Sequence, residues 1–108
     1  DLGTYIFWKG PAGKKYWNPV YCHYVDTGTH KILIDTGLCD AERATKYHHK
    51  CDKRGCLEVH DHLEQKLGVH PDEIDAIVFT HLHWDHEENR KKFKNARYIA
   101  PKAEIEMA

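Results

Sequence analysis

The sequence of 108 residues predicts a single small domain of the α/β class, in which strands alternate with helices along the chain. Three observations predict this class. Residues 20–37 have the alternation and turn letters of a β-hairpin, and residues 57–68 have the apolar spacing of an amphipathic helix. Residues 76–79 form a short apolar run, which is typical of a strand that is buried on both faces.

The amino-terminal part of the sequence predicts strands. The aromatic and β-branched stretch 4–10 predicts a first strand, which a loop follows. Within 20–37, the letters DTGT supply a turn, and KILI predicts the second strand of the hairpin. The strand stops at DTG, where Gly37 can adopt a positive φ.

The middle of the sequence predicts two helices. Asp40 is a suitable N-cap for a short helix over AERATKY. The second helix, 57–68, ends at Gly68, and the spacing favours solvated positions for His60 and His62. Its apolar stripe is expected to consist largely of Leu57, Val59, Leu63 and Leu67.

The last part of the sequence predicts three further elements. Residues 87–95 have the composition of a short polar helix, and residues 96–101 have that of a strand. A further helix is predicted to begin within residues 102–108. Pro71 excludes a continuous helix between the second helix and the apolar run.

Composition narrows the classes of function. Lys and Arg number 16 against 17 Asp and Glu, and their mixing argues against a nucleic-acid partner. No apolar run approaches the ~20 residues of a membrane span, so we expect a soluble protein without a membrane partner. The 4 Cys could form disulfides, but 10 His in the same chain favour a reducing, cytoplasmic location and metal chemistry.

The stretch FTHLHWDH places three His and one Asp directly after the buried run 76–79. His81 and His83 are two apart, so in an extended loop their side chains point the same way and could face one metal ion. Asp85 and His86 follow and could face a second ion. Imidazole and carboxylate suit Zn²⁺, Mn²⁺ or Fe²⁺. The alternative is a His-rich polar loop that binds no metal.

THLHWDH resembles the HxHxDH signature of the metallo-β-lactamase superfamily, and KILIDTG resembles the strand and turn that precede that signature. The resemblance implies half of an αββα sandwich, with a mixed sheet, flanking helices and metal ions at one edge. It covers nearly all of 1–108, which we therefore expect to be the incomplete amino-terminal part of one such domain. The missing carboxyl-terminal half, or another chain, would supply the remaining ligands.

Within the superfamily, the hairpin sequence and Trp84 are most similar to N-acyl-homoserine-lactone lactonases. This implies a hydrolase that opens a lactone or other ester. A glyoxalase II-like thioesterase is an alternative, as is a non-enzymatic fragment that only complements another half. Flavodiiron oxygen reductases usually carry Glu where this chain has His83, which argues against them.

The resemblance also implies roles for individual residues. His81 and His83 would bind a first zinc ion, and Asp85 and His86 a second, with a bridging hydroxide that attacks the carbonyl carbon. Asp85 would also assist proton transfer to the departing alkoxide. With two ligands for each ion, the 108 residues alone are expected to bind metal weakly and to be inactive, because catalytic zinc has at least three protein ligands.

Other residues are candidates for supporting roles. Asp35 could accept an N–H from a ligand histidine, or could simply form the turn. Thr80 is expected to tether the loop through its hydroxyl. Trp84, Tyr16 and Trp17 are candidates for the lining of a substrate cleft.

A second cluster lies in the polar region between the two helices. It could be a structural zinc site, but a mobile loop beside the cleft is the stronger interpretation, because the four residues between its cysteines exceed the common spacing. The cluster consists of His48, His49, Cys51 and Cys56.

Overall fold

A computed structural model describes Gly13 and residues 15–107, and the strand predicted at 4–10 lies outside these residues. The described strands and helices alternate along the chain. They are β1 (His23–Asp26), β2 (Lys31–Ile34), α1 (Ala41–Tyr47), α2 (Val59–His62), which continues as a π-helical turn (Leu63–Leu67), a 3-10 turn (Pro71–Glu73), β3 (Ala76–Val78), α3 (Trp84–Glu87), a second 3-10 turn (Arg90–Lys92), β4 (Arg97–Ile99) and α4 (Lys102–Met107).

The strands form one mixed sheet in the order β1-β2-β3-β4. β1 is antiparallel to β2, whereas β2, β3 and β4 are parallel to each other. The predicted hairpin is therefore present, although its first strand begins at His23 and not at residue 20. Gly28 has a φ of 83° in its turn, a conformation that glycine adopts without strain. The prediction of an α/β fold with a mixed sheet and flanking helices is confirmed.

The core lies on one face of the sheet. Leu33 in β2 is in register with Ile77 in β3, so their side chains point to the same face. Both pack in a buried cluster with Leu63 from the helical segment, and Phe79 and Phe93 complete it from the segments that flank the candidate motif. The motif is thus bounded on both sides by core residues, which fix its position.

The opposite face of the sheet is apolar and partly open. Val25 and Ile99 are 40% and 50% exposed, and Ala76 and Val78 are only half-buried. The prediction that the run 76–79 is buried on both faces is therefore wrong within this chain. One row of its side chains faces the core, and the other row lies on the open face.

The helices begin and end for local reasons. Asp40 caps α1 by accepting a hydrogen bond from the Arg43 N–H at 2.8 Å, as predicted. Gly68, with a φ of 66°, ends the π-helical turn. The predicted apolar stripe is wrong at its two ends, since Leu57 and Leu67 are exposed. The solvated position expected for His60 is also wrong, because its side chain is only 17% exposed.

The segment after the motif differs most from its prediction. No polar helix covers 87–95: α3 ends at Glu87, and a single 3-10 turn follows at Arg90–Lys92. The reason is Phe93, which is fully buried and draws this segment onto the core. Among the helices in the described part of the chain, none is long and apolar enough to cross a membrane.

Candidate metal centre

The candidate centre lies where β2 and β3 end. Because these strands are parallel, both deliver their following residues to the same edge of the sheet. Asp35 follows β2, and its N–H donates to the Val78 carbonyl at 3.0 Å, which extends the pairing by one residue. Asp35 has a φ of 60°, a left-handed conformation that turns its carboxylate towards the residues after β3.

The Asp35 carboxylate is buried and accepts three hydrogen bonds. The Thr80 N–H donates to one oxygen at 2.8 Å, and the Thr80 hydroxyl and His86 Nδ1 donate to the other at 2.7 and 2.9 Å. Burial raises the pKa of Asp35, but the bonds from Thr80 and His86 outweigh it, so its net pKa lies below the ordinary value. Asp35 is therefore ionised and can only accept.

This carboxylate sets the tautomers of two histidines. Since Asp35 can only accept, His86 must donate from Nδ1, which leaves Nε2 of the neutral ring with a free lone pair. The Thr80 hydroxyl has one hydrogen and gives it to Asp35, so at 2.9 Å it can only accept from His81 Nδ1. The Nε2 atom of His81 is also left free.

The structure brings the predicted ligands together. The ring centroid of His81 lies 4.6 Å from that of His83 and 4.1 Å from that of His86. Asp85, in the first turn of α3, places Oδ2 3.6 Å from His86 Nε2. The sequence predicts two separate pairs, whereas here His81 lies beside both of the other imidazoles.

The chemistry of these groups fits a divalent metal ion. The His81 ring lies beside those of His83 and His86, and on His81 and His86 a hydrogen bond holds Nδ1. In other proteins, a histidine whose one ring nitrogen is held in this way uses the other nitrogen to bind metal. Among the residues that the structure describes, no three donors lie close enough to hold one ion. The division of the four residues into two pairs of ligands stays a prediction.

A family model described as the metallo-beta-lactamase superfamily matches residues 16–87, which include the whole of the motif. The chain belongs to the metallo-beta-lactamase superfamily. The prediction from THLHWDH and KILIDTG is confirmed at this level.

Several proteins are similar to this chain over only part of their own length. An N-acyl homoserine lactonase of Bacillus cereus is 26% identical over 102 residues, which are 83% of this chain and 39% of that protein. A cytochrome P450 monooxygenase of Penicillium roqueforti is 30% identical over 97 residues, 80% of this chain and 11% of that protein. A probable metallo-hydrolase of Methanocaldococcus jannaschii is 46% identical over 40 residues, 37% of this chain and 20% of that protein.

A solved structure supports the fold. The crystal structure of the hydrolase AbOPH, in the beta lactamase superfamily, superposes with a TM-score of 0.57 and 26% identity, over 80% of this chain and 28% of that one. The chain thus spans between 11% and 39% of the length of the curated relatives named above.

Two residues after the signature hold the Asp35 turn in place, and sequence reasoning missed their role. Glu88 follows the signature, and its carboxylate accepts from the Cys39 and Asp40 N–H groups at 2.6 and 3.0 Å. Asn89 is buried and donates to the Thr36 carbonyl at 3.0 Å. These contacts join residues about fifty positions apart in the sequence, and no local pattern predicts them.

A cleft of about 830 Å³ opens beside the centre. Its lining includes the predicted cleft residues Tyr16, Trp17 and Trp84, together with Asp85. Trp84 is also stacked on His48, with ring centroids 4.6 Å apart and planes at 12°. This stack ties the loop after α1 to the motif, a contact that the sequence does not predict.

The second His and Cys cluster has no ligand set of its own among the described residues, where no three suitable donors converge. The Cys51 thiol donates to the His49 carbonyl at 3.2 Å, and all four cysteines are free thiols. Cys51 and His49 line the cleft, which favours the interpretation of this segment as a loop at its border.

Cys22 is expected to resist alkylation. Burial, with a smaller contribution from the charge of Asp35, raises its pKa to about 11. At pH 8 its reactive thiolate fraction is therefore on the order of one in a thousand. We expect iodoacetamide to modify Cys22 at least ~10-fold more slowly than the exposed Cys56, as followed by peptide mass spectrometry. Equal rates in the folded protein would contradict this, whereas in urea the two should react alike.

Proposed function

We propose that this chain carries part of the metal centre of a hydrolase that opens lactones or related esters, in the manner of an N-acyl homoserine lactonase. The observation that carries the proposal is the closeness of the His81 ring to those of His83 and His86, with the Nδ1 atoms of His81 and His86 held by hydrogen bonds that do not use Nε2. The similarity to a protein named as a lactonase supports the substrate class.

We assign the binding of two divalent ions, zinc or else manganese or iron, to the predicted residues. His81 and His83 would hold one ion, and Asp85 and His86 the other. Bound metal would supply a water of lowered pKa and would polarise the carbonyl oxygen of the substrate. The Asp85 carboxylate, beside His86 Nε2, would then carry a proton to the departing alkoxide.

We further propose that 1–108 is the amino-terminal part of one domain, and that another segment or chain completes both ligand sets. The partly exposed Val25 and Ile99 on the open sheet face are consistent with a covering layer. The proposal includes a reducing, cytoplasmic location, because 10 His beside 4 Cys suit metal chemistry better than disulfides.

The test is hydrolysis by the full-length protein of an N-acyl homoserine lactone, a simple aryl ester and a thioester. We expect lactone opening that rises with bound metal. His81→Ala should lower kcat/KM by on the order of 10³-fold or more, because it removes a proposed ligand. His30→Ala, in the hairpin turn, should leave activity unchanged.

Thioester cleavage without lactone opening would replace the lactonase assignment by a thioesterase. Failure of every substrate in a protein with a full metal complement would overturn the proposed function as a whole.

A further inference from the structure

Glu104 reaches the signature loop from outside it. It lies in the first turn of α4, and its carboxylate accepts a hydrogen bond from the Leu82 N–H at 2.9 Å. Leu82 stands between His81 and His83, so this contact, across 22 residues of sequence, acts on the backbone that joins two proposed ligands.

The loop needs such support because it has left the sheet. The last backbone pairing with β4 joins the Phe79 N–H to the Ile99 carbonyl at 2.8 Å. Beyond that point, side-chain carboxylates accept the hydrogen bonds that hold the loop backbone. Asp35 accepts from the Thr80 N–H, and Glu104 accepts from the Leu82 N–H. Each of these hydrogen bonds has a charged acceptor, and such bonds are stronger than neutral ones.

The two anchors lie on either side of His81. Every residue has two soft backbone dihedral angles, so a loop held only before His81 would let the His83 ring swing away. The second anchor removes this freedom, and the two ring centroids stay 4.6 Å apart.

We propose that Glu104 is a positioning residue, which holds His81 and His83 in a converging arrangement before a metal ion binds. It acts through the Leu82 backbone and not as a ligand. This inference rests on the proposed function only in taking the two histidines as ligands.

The test compares variants of the full-length protein without substrate. Glu104→Ala removes the acceptor, whereas Glu104→Gln removes the charge but keeps an oxygen that can accept. Glu106→Ala is the matched control, since Glu106 is on the same helix, is 63% exposed and pairs with Lys102 at 3.4 Å. The measurements are Zn²⁺ affinity by chelator competition and the visible spectrum of the Co²⁺-loaded protein.

We expect Glu104→Ala to weaken Zn²⁺ binding by about 10–100-fold and to alter the Co²⁺ spectrum, as loss of an outer partner does at other metal sites. Glu104→Gln should stay within about threefold of the parent, and Glu106→Ala should match it. Unchanged affinity and spectrum in Glu104→Ala would overturn the inference. So would an equal loss in Glu106→Ala, or a Gln variant as weak as the Ala variant.

A measurement on the unaltered protein covers the case in which Glu104→Ala does not fold. In the metal-free protein, the Leu82 amide should exchange with solvent at least ~10-fold more slowly than expected for an open loop. Fast exchange would overturn the inference. None of these readouts uses a substrate, so a protein that opens no lactone would still test it.

Discussion

Replacing Asp35 with asparagine is expected to weaken metal binding by about 10–100-fold, because Asp35 sets the tautomers of both His81 and His86. The amide has only one acceptor oxygen, while three donors converge on the carboxylate. Asparagine tolerates the positive φ at this position, so the backbone should be retained. Chelator competition measures the affinity, and NMR of the histidine nitrogens reports the tautomers.

Two further variants separate the effects. Thr80→Val keeps the volume but removes the hydroxyl, so it should disturb His81 and leave His86 engaged with Asp35. Asp40→Asn is the control, because asparagine caps a helix as well as aspartate does. Native tautomers and native affinity in Asp35→Asn would show that the carboxylate does not organise the centre.

Replacing Phe93 with alanine is expected to lower the free energy of unfolding by about 3–5 kcal/mol, because its ring is fully buried in the core. That is a large share of the roughly 5–15 kcal/mol of a typical domain. Equilibrium unfolding in urea gives the value. Phe93→Leu, which keeps more of the volume, should lose less than half as much.

An exposed aromatic provides the comparison for Phe93. Tyr47 ends α1, is 65% exposed and contacts Lys46 through its ring face. Tyr47→Ala should change the free energy of unfolding by less than ~1 kcal/mol. A similar loss in both variants would mean that Phe93 does not anchor the segment after the motif.

The parts of the fold that sequence predicts are those set by neighbours in the chain. Asp40 caps the helix formed by the seven residues that follow it, so the signal and the helix are adjacent in the sequence. Gly28 lies in a turn and Gly68 at a helix end, and both adopt a positive φ that glycine tolerates. The signature loop is equally local. The spacing of His81 and His83 predicts that their side chains lie on one side of the loop, and the two rings are neighbours in the structure.

The parts that escape prediction depend on distant partners. Phe93 lies among charged residues, and only the core that receives it reveals that it is buried. Glu88 and Glu104 look like surface carboxylates in the sequence. Both accept backbone N–H groups, from Asp40 and from Leu82, across 48 and 22 residues. The spacing of apolar and polar residues along the sequence does not predict such contacts.

The parallel pairing of β2 with β3 governs the order in which the centre can form during folding. The β1–β2 hairpin is local and can close in roughly microseconds, but β3 must find β2 across a long crossover, which is intrinsically slower. Asp35 and Thr80, 45 residues apart, meet only at that later step. Before that step, the hydrogen bonds from His86 to Asp35 and from His81 to Thr80 do not both have their partners in place. The orientation of these imidazoles is therefore kinetically tied to closure of the sheet.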